Sequence, residues 1–198
     1  MTMCWLYYGY LSGYAGPIIN LPFIVTTALS ASLVPAVAEA LAAGRREDVA
    51  VNYRSAMLLA IVIVLPATVG LMTLATPICQ LLYNEAPSGL ALFWMAPTVL
   101  VVGLYQTSAG TLQGMGKVMV PMQALMIGAA LKVVLTYVLT AIPAIGIRGA
   151  ALGTVIGFAV AALYNICNVA KNIGWKWFDP SYHLIKPVLS VAAMGIVV

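Results

Sequence analysis

Apolar residues run along this chain in long blocks, and the few charged positions fall between them. Residues 1–38, 55–84, 86–116 and 149–170 carry no charge, and 118–147 holds one, Lys132. A hydrocarbon layer about 30 Å thick is crossed by about 20 apolar residues of helix. The blocks therefore predict transmembrane helices over 17–42, 55–83, 88–114, 119–141 and 148–170. Beyond Pro187 the chain is apolar to Val198, a stretch too short to cross, which reads as the start of a further helix over 187–198. Residues 1–16, rich in Tyr and Gly, read as an extracytoplasmic segment, and 171–186 as an interfacial linker. The expected fold is an all-α integral membrane bundle with five complete spans and a truncated sixth, joined by short turns between antiparallel neighbours.

Composition narrows the function classes. The chain is 63% hydrophobic and 7% charged, against about 25% charged in a soluble domain. So few charges cannot cover a soluble surface, which excludes a soluble enzyme, a disordered chain and a nucleic-acid-binding domain. The net charge of +4 comes from scattered residues, with no stripe to track phosphates. Cys4, Cys79 and Cys167 are far apart and form no CxxC or zinc spacing. His183, the single histidine, reads as a solvated interfacial side chain. With five carboxylates and one histidine, no metal triad or acid/base pair assembles, and neither a nucleophile elbow nor a P-loop occurs. No enzyme, metal or cofactor is expected.

Orientation follows from lysine and arginine. Arg45, Arg46, Arg54, Lys117, Lys171, Lys176 and Lys186 fall on one set of alternate loops, and only Arg148 on the other. The first set is therefore cytoplasmic, and the first helix runs inward. Trp5, Tyr7, Tyr8, Tyr10 and Tyr14 then lie at the outer boundary, and Trp175, Trp177 and Tyr182 at the inner one, as aromatic belts do.

Polar and small residues form stripes. Gly149, Gly153, Gly157, Ala161 and Asn165 repeat at i+4, a surface on which another helix can come close. On the fourth helix Gly128, Lys132, Thr136 and Thr140 repeat likewise. A lysine at that depth costs about 2.5–3.5 kcal/mol on insertion scales. Its stripe suggests a wet cavity, where the ammonium would meet an anionic group of a substrate. The other reading is a lysine that snorkels or pairs structurally. Asn20 with Thr26, Thr27, Ser30 and Ser32, and Gln106 with Thr107, Ser108 and Gln113, give two more polar streaks. Asn20, Gln106, Gly128, Lys132 and Thr136 are the candidate substrate-path residues. Glu39 is a candidate coupling carboxylate, although its nearness to Arg45 and Arg46 favours an interfacial ion pair. Pro22, Pro35, Pro66, Pro77 and Pro97 interrupt the spans and allow bends.

Several blocks, in order, resemble bacterial polysaccharide-biosynthesis flippases of the stage V sporulation protein B-like family. LPFIVTTALSASLVPAVAEALAAG (Leu21 to Gly44) is similar to the family's eighth helix. LPATVGLMTLATPICQLLY (Leu65 to Tyr83), TLQGMGKVMVPMQALMIGAALKVVLTYVLT (Thr111 to Thr140) and IGIRGAALGTVIGFAVAALYN (Ile145 to Asn165) follow. KPVLSVAAMGIVV (Lys186 to Val198) resembles the start of the thirteenth. The resemblance implies the multidrug/oligosaccharidyl-lipid/polysaccharide (MATE/MOP) exporter superfamily, in which two six-helix lobes surround a central cavity. Its lipid II flippase-type members serve peptidoglycan synthesis, and its sporulation members serve the spore cortex. It implies that this chain is a C-terminal lobe in the cell membrane, whose partners are membrane lipid, a lipid-linked saccharide and a missing N-terminal lobe. The chain would be a fragment, a decayed copy, or one half of a split transporter whose first lobe is a separate chain. The alternatives are a lobe of an ion-coupled multidrug exporter and a non-transporting membrane scaffold or pseudogene product.

The charge bias makes a topology prediction. In a cysteine-free background, a cysteine at Arg45 or Lys171 should resist a membrane-impermeant maleimide in intact cells. One at Arg148 should react.

Overall fold

The computed structural model describes residue 13 and residues 16–84, 88–140 and 148–174. The aromatic belts, His183, nearly all of 1–16, most of the 171–186 linker and the helix start at 187–198 lie outside the described residues. Those described form α1 (Gly16–Ala42), α2 (Arg46–Thr73), α3 (Ala75–Tyr83), α4 (Ser88–Met95), α5 (Pro97–Gly114), α6 (Met119–Thr140) and α7 (Arg148–Ile173). Among them are five spans long and apolar enough to cross a membrane: α1, α2, α4 and α5 together, α6, and α7 from Gly149.

Two helix ends differ from the charge-punctuated reading, for physical reasons. α2 opens at Arg46 rather than near 55. Glu47 and Asp48 sit in its first turn, where the helix dipole favours acids. The charged stretch is thus the part of the helix that emerges from lipid rather than a loop. The span read as 55–83 is broken at Leu74. Pro77 has no N–H for the Thr73 carbonyl, so a regular helix ends there. In the same way Pro97 opens α5 at its N1 position and separates it from α4. Pro22, Pro35 and Pro66 stay inside continuous helices.

Two turns, after α1 and after α5, close with the same backbone device. Gly44 has φ +70 and Gly116 has φ +74. The N–H of Arg45 reaches the Ala40 carbonyl at 2.9 Å, and that of Gly44 reaches Leu41 at 3.0 Å. Lys117 reaches Leu112 at 2.8 Å and Gly116 reaches Gln113 at 2.9 Å. Each glycine takes the left-handed position of a Schellman end, which satisfies carbonyls that would face the headgroups bare.

α5 is the hub, packed against α1, α2, α4, α6 and α7, while α6 leans mainly on α7. Buried side chains fall in tiers. Ile18, Ile19, Val64, Cys79, Leu92 and Val99 form one, and Leu33, Val37, Val49 and Ala56 another. Tyr53, Met57, Leu112 and Val169 form a third, which joins α2, α5 and α7. The Tyr53 hydroxyl is 3.2 Å from Ser108 Oγ in that tier.

Apolar area drives no association in lipid, so close backbone approach carries the packing. At the α6–α7 contact, a Cβ added at Gly128 would lie 2.6 Å from the Gly157 carbonyl oxygen, and one at Gly157 would lie 2.7 Å from that of Gly128. At the α1–α5 contact, a Cβ on Gly110 would lie 2.7 Å from the Ser30 carbonyl oxygen.

Gly128→Ala tests this packing by a contest of signs. Alanine gains about 1 kcal/mol of helix propensity over glycine. Overpacking against backbone costs about 1–3 kcal/mol. The clash should prevail, and thermal unfolding in detergent should show a lower midpoint for the variant.

Candidate functional site

The small-residue stripes of α6 and α7 face each other. Lys132 and Gly128 of α6 meet Gly157 of α7, and Thr136 meets Gly153. Where the two helices diverge from this contact, a groove of about 270 Å³ opens. Leu125, Gly128 and Lys132 line it from α6, and Gly157, Phe158 and Ala161 from α7. Phe158 is held edge-on by Tyr105 of α5, with ring centroids 6.3 Å apart. The Tyr105 hydroxyl donates to the Pro121 carbonyl at 3.1 Å, which ties the start of α6 to the hub.

Among the described residues Lys132 is the one charged side chain lining this groove. It is exposed and makes no hydrogen bond or ion pair with a described residue. At 1.5 Å per residue it stands roughly 20 Å along α6 from Met119 and roughly 12 Å from Thr140, well within the hydrocarbon. Thr136 lies one turn outward, its Oγ1 buried without a hydrogen-bond partner. Asn165, fully buried on the α7 stripe, has both amide atoms unpartnered. An ammonium over an apolar wall can hold an anion strongly, because little water screens it.

Two of the expected path residues stand elsewhere. The Gln106 side chain accepts from the Thr26 hydroxyl and donates to the Thr27 hydroxyl at 3.1 Å, while Ser30 Oγ donates to the Gln106 carbonyl at 2.8 Å. It therefore serves as a tie between α5 and α1. Asn20 is exposed near the start of α1, apart from the groove. Glu39 is exposed in the last turn of α1. The expected ion pair there forms instead between Arg45 and Asp48, at 3.0 Å, and Glu39 has none with a described residue. Among the described residues no three His, Cys, Asp or Glu side chains gather in a way that could hold a metal.

Sequence reasoning found α6's side of the groove and missed α7's Phe158. The available signal was the pairing of two small-residue stripes. Gly128 and the Gly153–Gly157 repeat are complementary only when both helices are placed face to face.

Comparison with known proteins places this geometry. The MatE family profile matches residues 12–138. Stage V sporulation protein B of Bacillus subtilis (strain 168) is 30% identical over 164 residues, which are 83% of this chain and 32% of that protein. Lipid II flippase MurJ of the same organism is 24% identical over 193 residues, 95% of this chain and 35% of that protein. Its uncharacterized membrane protein YabM is 27% identical over 178 residues, 90% of this chain and 32% of that protein. The chain thus spans about a third of the length of these curated relatives. A solved structure of lipid II flippase MurJ, in an inward closed conformation, superposes with a TM-score of 0.79 at 22% identity. It covers 96% of this chain and 40% of that one, and it shows the same fold.

The geometry separates two kinds of polar residue by their effect on stability. Gln106→Leu removes two interhelical hydrogen bonds, each worth about 0.6 kcal/mol in a membrane bundle, and should destabilise by about 1 kcal/mol. Lys132→Gln removes an unpartnered charge and should leave the unfolding midpoint unchanged or raise it. Chemical unfolding of both variants in mixed micelles reads the difference.

Proposed function

The chain belongs to the MatE family, and from that premise we propose that it forms the second lobe of a flippase for lipid-linked saccharides. It is a multi-pass cell membrane protein, given its five apolar spans and its membrane flippase relatives. In this reading α6 and α7 form one wall of a passage that opens alternately to either side. The opposite wall is the N-terminal lobe, carried on the same polypeptide or on another chain. The observation that carries the reading is Lys132, an unpartnered cation deep in a span beside an apolar groove.

Each residue has a role that its position supports. The Lys132 ammonium meets an anionic group of the lipid-linked cargo, where low dielectric strengthens the attraction. Gly128 and Gly157 keep the wall thin enough for Lys132 to reach the groove. Thr136, one turn along α6, has its hydroxyl buried against Gly153 and stands outside the groove lining. Asn20 and Gln106 stay outside the groove, and in this reading Gln106 positions α1 relative to α5 rather than touch cargo. The cargo belongs to cell-envelope or spore-cortex synthesis, as the names of the flippase and sporulation relatives suggest. The ion-coupled exporter reading depends on Glu39, which stands exposed in the last turn of α1 and apart from the groove.

Co-expression with the N-terminal lobe of a related flippase, in cells depleted of their own, is the direct test. It should restore translocation of lipid-linked precursor. Lys132→Ala should slow that restored rate about tenfold, as loss of one charge-assisted hydrogen bond does. An unchanged rate contradicts the role of Lys132. No restoration by any matching lobe contradicts the flippase reading.

A further inference from the structure

Glu39 plays no part in the groove, yet it lies in a second cavity. A notch of about 240 Å³ opens between the end of α1 and the start of α2, lined by Glu39, Arg45, Asp48, Val51 and Asn52 among others. Arg45 donates to Asp48 at 3.0 Å, which occupies one side of its guanidinium and leaves other N–H groups to face the notch. The Glu39 carboxylate has no partner among the described residues. The Asn52 amide adds a donor and an acceptor to the same wall.

The charges define what fits. Two carboxylates against one guanidinium leave the notch net negative, so a simple anion is disfavoured. A small cation would satisfy Glu39 but leave the Arg45 N–H groups without an acceptor. A zwitterion that pairs an N–H-bearing cation with a phosphate satisfies both.

Position then selects the source of that zwitterion. α1 ends at Ala42 and α2 opens at Arg46, so the notch stands at headgroup depth, on the cytoplasmic side by the lysine and arginine bias. Val51 in its wall is 59% exposed. Leu59 and Val62 are exposed further along the same helix, at 53% each. Their spacing places them on one face, a track from the notch into the hydrocarbon that is apolar but for Ser55. A soluble zwitterion has no use for such a track, whereas a lipid does.

We propose that this notch binds an aminophospholipid of the cytoplasmic leaflet. Glu39 accepts from the primary ammonium, Arg45 donates to the phosphate, and an acyl chain lies along Val51 and Leu59. A choline headgroup has the same charges but no N–H to give Glu39, so the site discriminates ethanolamine from choline. This site is independent of the Lys132 groove and of the cargo.

Native mass spectrometry of the purified chain in detergent tests it, with equimolar phosphatidylethanolamine, phosphatidylcholine and phosphatidylglycerol of matched acyl chains. The ethanolamine lipid should be retained about threefold or more over the choline lipid, the weight of one screened charge-assisted hydrogen bond. Glu39→Gln should remove that preference and leave choline lipid binding unchanged. Glu47→Gln, the same change of charge outside the notch lining, should keep it. Equal retention of ethanolamine and choline lipids, a preference that survives Glu39→Gln, or dominance of the glycerol lipid would each overturn the proposal. Displacement of the bound lipid by an equal concentration of soluble phosphoethanolamine would overturn the role of the apolar track.

Discussion

The close approach of α6 and α7 at Gly128 and Gly157 is the contact on which the rest of the bundle depends. In water the exposed apolar faces of these helices would drive them together. In lipid that drive vanishes, and attraction comes from dispersion and from interhelical hydrogen bonds. Both act only at short range, so helices must touch backbone to backbone. Glycine permits this where any Cβ would intrude. The groove beside the contact follows, since two helices pinned at one level diverge on either side of it.

The two principal seams of the bundle are built differently. Between α1 and α5, small residues and hydrogen bonds act together: Thr26, Thr27 and Ser30 all engage Gln106, beside Gly103, Gly110 and Gly114. Between α6 and α7, the fit is as close but the polar groups are not used. The Thr136 hydroxyl is buried without a partner there, and so is the Asn165 amide on the same α7 stripe. Each such group costs about 1–3 kcal/mol. α6 is also the span with the smallest buried share. The α6–α7 seam is the most extensive of the bundle, and its unused polar groups lie on the helix pair that carries Lys132.

What the chain's pattern disclosed, and what it hid, follows from range. Five spans were legible because each is a local run of apolar residues, and Lys132 stood out because a charge inside such a run is rare. The start of α2 was misplaced because the pattern equates charge with loop, while Glu47 and Asp48 suit the first turn of a helix leaving the bilayer. The break at Leu74 was hidden because Pro77 was read as a bend within one span, and the structure ends the helix there. The duty of Gln106 was hidden altogether. A polar residue in a span looks the same whether it faces cargo or another helix, and only the partner, far away in the chain, decides. Phe158 was invisible for the same reason.

The role of Lys132 turns on the medium that surrounds it, and spin-label accessibility in reconstituted bilayers measures this directly. Nitroxides at positions 132 and 133 would be compared for collision with a water-soluble nickel chelate and with oxygen, which concentrates in lipid. Val133 is 68% exposed on the apolar surface of α6 and provides the lipid reference. The account predicts that the label at 132 collides more with the chelate than the label at 133. If both labels favour oxygen equally, position 132 faces acyl chains and the groove is not part of an aqueous passage.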